Sequence, residues 1–119
     1  MMPRKFQSEQ FFQASDNEPI RSIITQSEQA TVIAWHIEPG QQIAAHLHPN
    51  GQDTWTILQG QGQYYLDDQG SLETITTGDI VVAYSGQVHG VLNDGKLPLR
   101  FISVVSPAEA GYQLIEKSD

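Results

Sequence analysis

Short β-branched and aromatic runs, broken about every ten residues by turn-forming clusters, constrain this chain more than any other feature. The runs lie at residues 20–25, 30–37, 54–58, 63–66, 73–76, 80–84 and 100–105. Between them stand Pro39-Gly40, Pro49-Asn50-Gly51, Gly60-Gln61-Gly62, Asp67-Asp68-Gln69-Gly70, Thr77-Gly78-Asp79, Ser85-Gly86 and Asn93-Asp94-Gly95. Side chains branched at Cβ suit a pleated surface, and Gly, Asn, Asp and Pro supply the dihedrals that reverse a chain. Strands at this beat predict an all-β sandwich or barrel. No amphipathic helical period follows residue 20. Residues 8–15 are expected to make one helical turn, with Phe11 and Phe12 as its apolar contacts.

At 119 residues the chain fits one domain with a real core. Residues 1–25 read as an N-terminal edge segment, 30–105 as the barrel and 106–119 as a C-terminal segment. No apolar run approaches the ~18 residues of a membrane span. The basic stretch from Met1 to Gln7 is not followed by an apolar one, so no secretory leader is expected and a cytoplasmic location is. There is no cysteine, which removes disulfides, thiolate chemistry and iron–sulfur clusters together. The formal net charge is −8 and the six Lys and Arg are scattered. Such a chain repels phosphate backbones and anionic headgroups, so neither nucleic acid nor membrane is an expected partner.

Three of the four histidines fall within two glycine-punctuated segments, residues 40–60 and 78–93. His46 and His48 are two apart on a predicted strand, so both side chains leave one face. Asp53 opens the next strand after the Pro49-Asn50-Gly51 turn. Neutral imidazoles with a carboxylate suit iron(II), manganese, nickel, copper or zinc. His89 returns on a distant strand, and nothing in its local sequence places it beside His46. His36, between Trp35 and Ile37, reads as structural.

These two segments resemble the paired motifs of the cupin superfamily. Gly40, His46, His48 and Gly60 fall in register with the first motif, and Asp53 stands where glutamate is usual. Gly78, Gly86, His89 and Asn93 fall in register with the second, and Tyr84 stands where proline is usual. The resemblance implies a small single-domain cupin, a jelly-roll or double-stranded β-helix barrel with one divalent metal (Fe, Mn, Ni or Zn) in its mouth. Carried over by position, the ligands are His46, His48, Asp53 and His89. Aspartate is about 1.5 Å shorter in reach than glutamate. Asp53 can therefore ligate with local adjustment, act through water, or support the histidines from behind, and Gln52 is a rival ligand.

Trp55 and Ile57 share the Asp53 face by alternation and are expected to line the pocket with Tyr84, which either packs there or offers a phenol. One of Tyr64 and Tyr65 is expected inside. Arg21 and Arg100 can hold a substrate carboxylate only if they face inward. An aromatic and aliphatic lining favours an uncharged or weakly charged small molecule. The resemblance admits a metal-dependent enzyme, an oxygenase or isomerase, and equally a non-enzymatic metal- or ligand-binding protein, since one fold hosts many chemistries. Unpaired sheet edges, together with the strand at 20–25, predict a homodimer.

Overall fold

The structure is a computed structural model that describes residues 2–116. A single 3₁₀ turn (Ser8–Gln10) precedes ten strands. They are β1 (Ser22–Gln26), β2 (Thr31–Ile37), β3 (Gln42–Leu47), β4 (Gln52–Gln59), β5 (Gln61–Tyr65), β6 (Leu72–Thr76), β7 (Ile80–Ala83), β8 (His89–Leu92), β9 (Leu99–Ser106) and β10 (Gln113–Leu114). Two antiparallel five-stranded sheets face each other, in the orders β1-β2-β9-β4-β7 and β10-β3-β8-β5-β6. No described helix is long and apolar enough to cross a membrane.

Alternation along the strands builds the core. In β9, Leu99, Phe101, Ser103 and Val105 are buried, while the residues between them are half-buried or exposed. In β4 the buried set is Asp53, Trp55 and Ile57. Ile37, Trp55, Ile57, Tyr64, Ile75, Val91, Leu99 and Phe101 form one cluster between the sheets. Trp55 stacks on Phe101 with ring centroids 4.2 Å apart and meets Tyr64 edge-on at 5.3 Å. Tyr64 thus enters the barrel, and Tyr65 on the other face donates its hydroxyl to Gln42. Asn93 is fully buried and acts as a brace: its Nδ2 donates to the carbonyls of Ile37 and Leu97.

Residues before β1 pack on the outer face of their own barrel. Arg100 donates through Nη1 to Glu9 and through Nε to His36 Nδ1, and its guanidinium lies over the Phe12 ring. That bond makes Nδ1 of His36 the acceptor, so its Nε2–H donates to Glu38 at 2.6 Å. His36 and Arg100 are therefore parts of an outer polar brace and do not face the barrel interior. β1 adds an edge strand to β2 of the same chain. Phe11 meets Phe6 edge-on at 6.2 Å, close to the helical turn expected there.

Candidate metal centre

The fold brings His46, His48, Asp53 and His89 together, each offering one ligand atom within 4.8 Å of all the others. The three histidines belong to one sheet and its margin. His46 lies on β3 directly opposite His89 on β8, and His48 follows β3 by one residue. Asp53 comes from β4 of the facing sheet. A cation here would tie the two sheets together.

A bulge aims the first two histidines. Ile43 pairs with Val91, but His46 pairs with His89, so β3 carries one residue more than β8 between these points. Ile43 packs against the core. Strict alternation from Ile43 would send positions 45 and 47 inward, and the extra residue rephases the strand so that His46 is buried instead. The bulge fits because residue 90 is glycine. A Cβ at Gly90 would stand 2.6 Å from the Ile43 carbonyl oxygen and 2.7 Å from Tyr65 Cδ2.

Each histidine is held by a backbone carbonyl. His46 Nδ1 lies 2.8 Å from the Ala44 carbonyl oxygen, His48 Nδ1 2.7 Å from that of Gly111, and His89 Nδ1 3.1 Å from that of Gln87. A carbonyl only accepts, so every Nδ1 carries its proton and every neutral ring turns an Nε2 lone pair toward the centre. His89 Nε2 then stands 3.0 Å, and His48 Nε2 3.5 Å, from Asp53 Oδ2. Acceptors at that range repel unless a cation lies among them. A metal–ligand bond of about 2.1 Å separates neighbouring donors by about 3.0 Å in an octahedron and about 3.4 Å in a tetrahedron, so the spacing fits a transition metal. The donor set, three imidazoles and one carboxylate, fits as well.

Asp53 is buried, and its Oδ1 accepts a hydrogen bond from the Ser103 hydroxyl of β9. Burial pushes its carboxyl pKa up, but without a metal a proton taken up on Nε2 of His48 or His89 turns each approach into a hydrogen bond to Asp53, and these with the Ser103 bond outweigh burial and hold the carboxyl well below the usual carboxylate range. Burial, with the neighbouring His89 and His48, takes His46 down to about 4, so its ring is neutral at pH 7. The same hydrogen bond, made only by the protonated ring, raises the His48 pKa. Gln52, exposed on the opposite face of β4, is not at the site.

The residues expected to line a pocket lie at different depths. Trp55 is buried beside the cluster, edge-on to His89 at 5.8 Å. Ile57 lies deeper, sealed in the core among Phe101 and Leu99, because each inward step along β4 moves away from Asp53. Tyr84 is 62% exposed. Its turn still frames the mouth, since the Gly86 N–H donates to the His48 carbonyl.

The C-terminal segment is a part of the site that the motifs did not reveal. After β9 it crosses the mouth from one sheet to the other. Ser106 Oγ donates to the Gln29 carbonyl and Asn50 N–H to the Ala110 carbonyl, and then β10 pairs with His46 and Leu47. Gly51 makes room, because a Cβ there would meet Ala110 Cβ at 2.5 Å. Gly111 orients His48, and the Tyr112 ring lies 5.2 Å from His46 and 6.3 Å from His48. Ser103 and Gly90 were likewise missed, although a serine on an otherwise apolar strand and a glycine next to His89 were visible cues.

The family model described as a cupin domain matches residues 33–105, and the chain belongs to the cupin family. It is similar to a double-stranded β-helix protein of Klebsiella pneumoniae, with 43% identity and a TM-score of 0.93 over 98% of this chain and 100% of that one. It is 30% identical over 69 residues to an oxalate-binding protein of Thermotoga maritima, covering 58% of this chain and 55% of that protein. It is 30% identical over 81 residues to the alginate biosynthesis protein AlgA of Pseudomonas aeruginosa, covering 68% of this chain and 16% of that protein. The chain therefore spans about half or less of these two relatives.

Proposed function

We propose that this cupin holds one divalent metal through His46, His48, His89 and Asp53 and uses it on a small organic molecule in oxygenation or isomerisation. The observation that carries the reading is the convergence of three Nε2 lone pairs, each fixed by a carbonyl behind it, on a buried carboxylate. When bound, the metal would supply Lewis acidity and open positions for a ligand. The chain's own residues do the rest. Ser103 holds the second carboxylate oxygen, Trp55 packs edge-on against His89, and the exposed Tyr112 lies beside His46.

A second reading, a metal- or ligand-binding protein without turnover, is favoured by one feature. Among the described residues, the site shows no second carboxylate beside Asp53 to act as a separate acid or base. The oxalate-binding relative supports binding of a small ligand under either reading. Oxygen uptake by the iron(II)-loaded protein across small diketones, thiols and phenolics separates the two. Uptake that depends on one substrate and is lost in His89→Ala supports the enzyme, and its absence across the panel, with isomerisation of the same compounds also absent, supports the binder.

We read the chain as a cytoplasmic homodimer. Away from the end where the residues before β1 cover the fully buried Ala34, the outer face of the first sheet carries Val32, Val104, Thr54 and Val82 in one cross-strand row and Ile102, Thr56 and Ile80 in the next. Neither row holds a charge, and Ile80 is 64% exposed. In an acidic chain, an uncharged face is the natural place for two copies to meet.

A further inference from the structure

The three histidines differ in how their rings are held. His46 and His89 each donate Nδ1–H to a carbonyl two residues earlier in the chain, that of Ala44 and that of Gln87. These bonds are local, so the strands that carry the two rings also orient them. His48 stands one residue past the end of β3. Its Nδ1–H donates at 2.7 Å to the carbonyl of Gly111, 63 residues away. One of the four candidate ligands is therefore aimed by a remote segment.

That segment, residues 111–115, is anchored at one end only. Ala110 is buried with Ile33 and Val105, and its carbonyl accepts from the Asn50 N–H. Gly111 then turns the chain at φ +79°, where glycine alone is unstrained. From Gly111 to Leu114 every residue is exposed. β10 is two residues long and lies at the margin of its sheet, pairing Gln113 with Leu47 and Leu114 with His46. The Ile115 N–H adds one bond, to the Ala45 carbonyl at 3.0 Å. The Tyr112 ring meets His46 and His48 at 5.2 and 6.3 Å. Few buried apolar contacts and solvent-exposed backbone bonds put a segment at the low end of local stability.

We infer that residues 111–115 form a latch whose docking is coupled, through the His48 ring, to occupation of the metal position. This rests on the metal reading above. When the latch is docked, the Gly111 carbonyl keeps the proton on Nδ1 and turns the Nε2 lone pair to the centre. When it undocks, His48 loses the bond that selects this tautomer and orientation, whereas His46 and His89 keep theirs. Undocking also carries Tyr112 away from both rings, so the same motion uncovers the cluster. The coupling is reciprocal: the factor that docking adds to metal affinity is the factor that a bound metal adds to docking. Gly111 is a positioning residue, acting through His48.

The test uses the full chain with and without zinc. NMR-detected hydrogen exchange is followed at Ile115 and, for comparison, at Gly78, an exposed turn residue whose N–H donates to the Ile57 carbonyl. Zinc should slow exchange at Ile115 at least tenfold more than at Gly78. Zinc affinity is measured by competition with a chelator. Ile115→Pro removes the donor to Ala45 and leaves Gly111 and all four ligands in place. It should weaken zinc by at least about fivefold, the lower end of coupling between sites, with stoichiometry unchanged. Gly111→Ala, strained at this φ and 3.0 Å from Pro49 Cγ, should also weaken it. Melting temperatures of the zinc-free variants should stay near wild type, because the latch lies outside the core. Zinc binding that leaves exchange at Ile115 unchanged, or that Ile115→Pro retains within twofold, would overturn the latch and leave the metal reading intact. A wild type that takes up no zinc, manganese, nickel or iron(II) would overturn the metal reading, and the latch with it.

Discussion

Gly90→Ala is the perturbation whose outcome follows most directly from the backbone. The new methyl would stand 2.6 Å from the Ile43 carbonyl oxygen, where ordinary contact begins at 3.4 Å. The shortfall of 0.8 Å falls on main chain, which no rotamer change relieves, and Tyr65 Cδ2 at 2.7 Å blocks the other direction. β3 must therefore move away from β8 at the bulge that aims His46. Overpacking of this kind costs about 1–3 kcal/mol. Metal–ligand distances tolerate only about ±0.2 Å, so a shift of several tenths at His46 should cost far more in metal affinity than in folding. We expect affinity to fall at least a hundredfold while the melting temperature of the metal-free protein drops by several degrees. Zinc titration and thermal melts of chelator-treated protein measure both. Gly95→Ala is the control, since its nearest contact is an ordinary 3.4 Å and it should change neither quantity measurably. Gly90→Ala binding zinc within twofold of wild type would refute the argument that the bulge sets the site.

Further outcomes follow from the other contacts. Asp53→Ala should weaken zinc binding about as much as a histidine substitution, and Ser103→Ala by the roughly 10–100-fold typical of a residue that orients a ligand; equal losses in the two would mean that Asp53 does not reach the metal. His46 binds its proton near pH 4 when folded and at 6.5 when unfolded, so between those values the unfolded chain holds more protons and acid destabilises the metal-free fold. Its share of the loss between pH 7 and 5 is ~2 kcal/mol, while His48, raised in the fold, works in the opposite direction. Denaturant melts of wild type and His46→Gln should therefore differ in pH slope by about that amount, and identical slopes would contradict it. Light scattering should return about twice the 13.2 kDa of one chain, and Ile80→Glu should return a single chain's mass; a monomeric wild type would remove the dimer.

Much of the fold was legible because strands declare themselves through β-branched runs and turns through Gly, Asn and Asp. Each predicted run coincides with a strand, within a residue or two. The strands outside those runs have weak local character. β3 and β8 were expected only as carriers of the histidines, β8 with Gly90 in it, and β10, only two residues held by tertiary pairing, was not expected. The four candidate ligands were legible from spacing and resemblance, although only the fold brings His89 opposite His46. What surrounds them was not. Ser103, Gly111 and Tyr112 reach the site from 14 or more residues beyond His89, and no local pattern records that route. Depth was not legible either: the strand face gives the side that Ile57 takes, but not that it lies among the core residues Phe101 and Leu99.

The central claim is that His46, His48, Asp53 and His89 hold a metal ion. Elemental analysis of protein produced without a polyhistidine tag tests it most directly, in the form purified and after incubation with iron(II), manganese, nickel or zinc followed by gel filtration. The account predicts about one divalent metal per chain in at least one of these samples, and its loss in His48→Ala. Less than a tenth of an equivalent in every sample would contradict it.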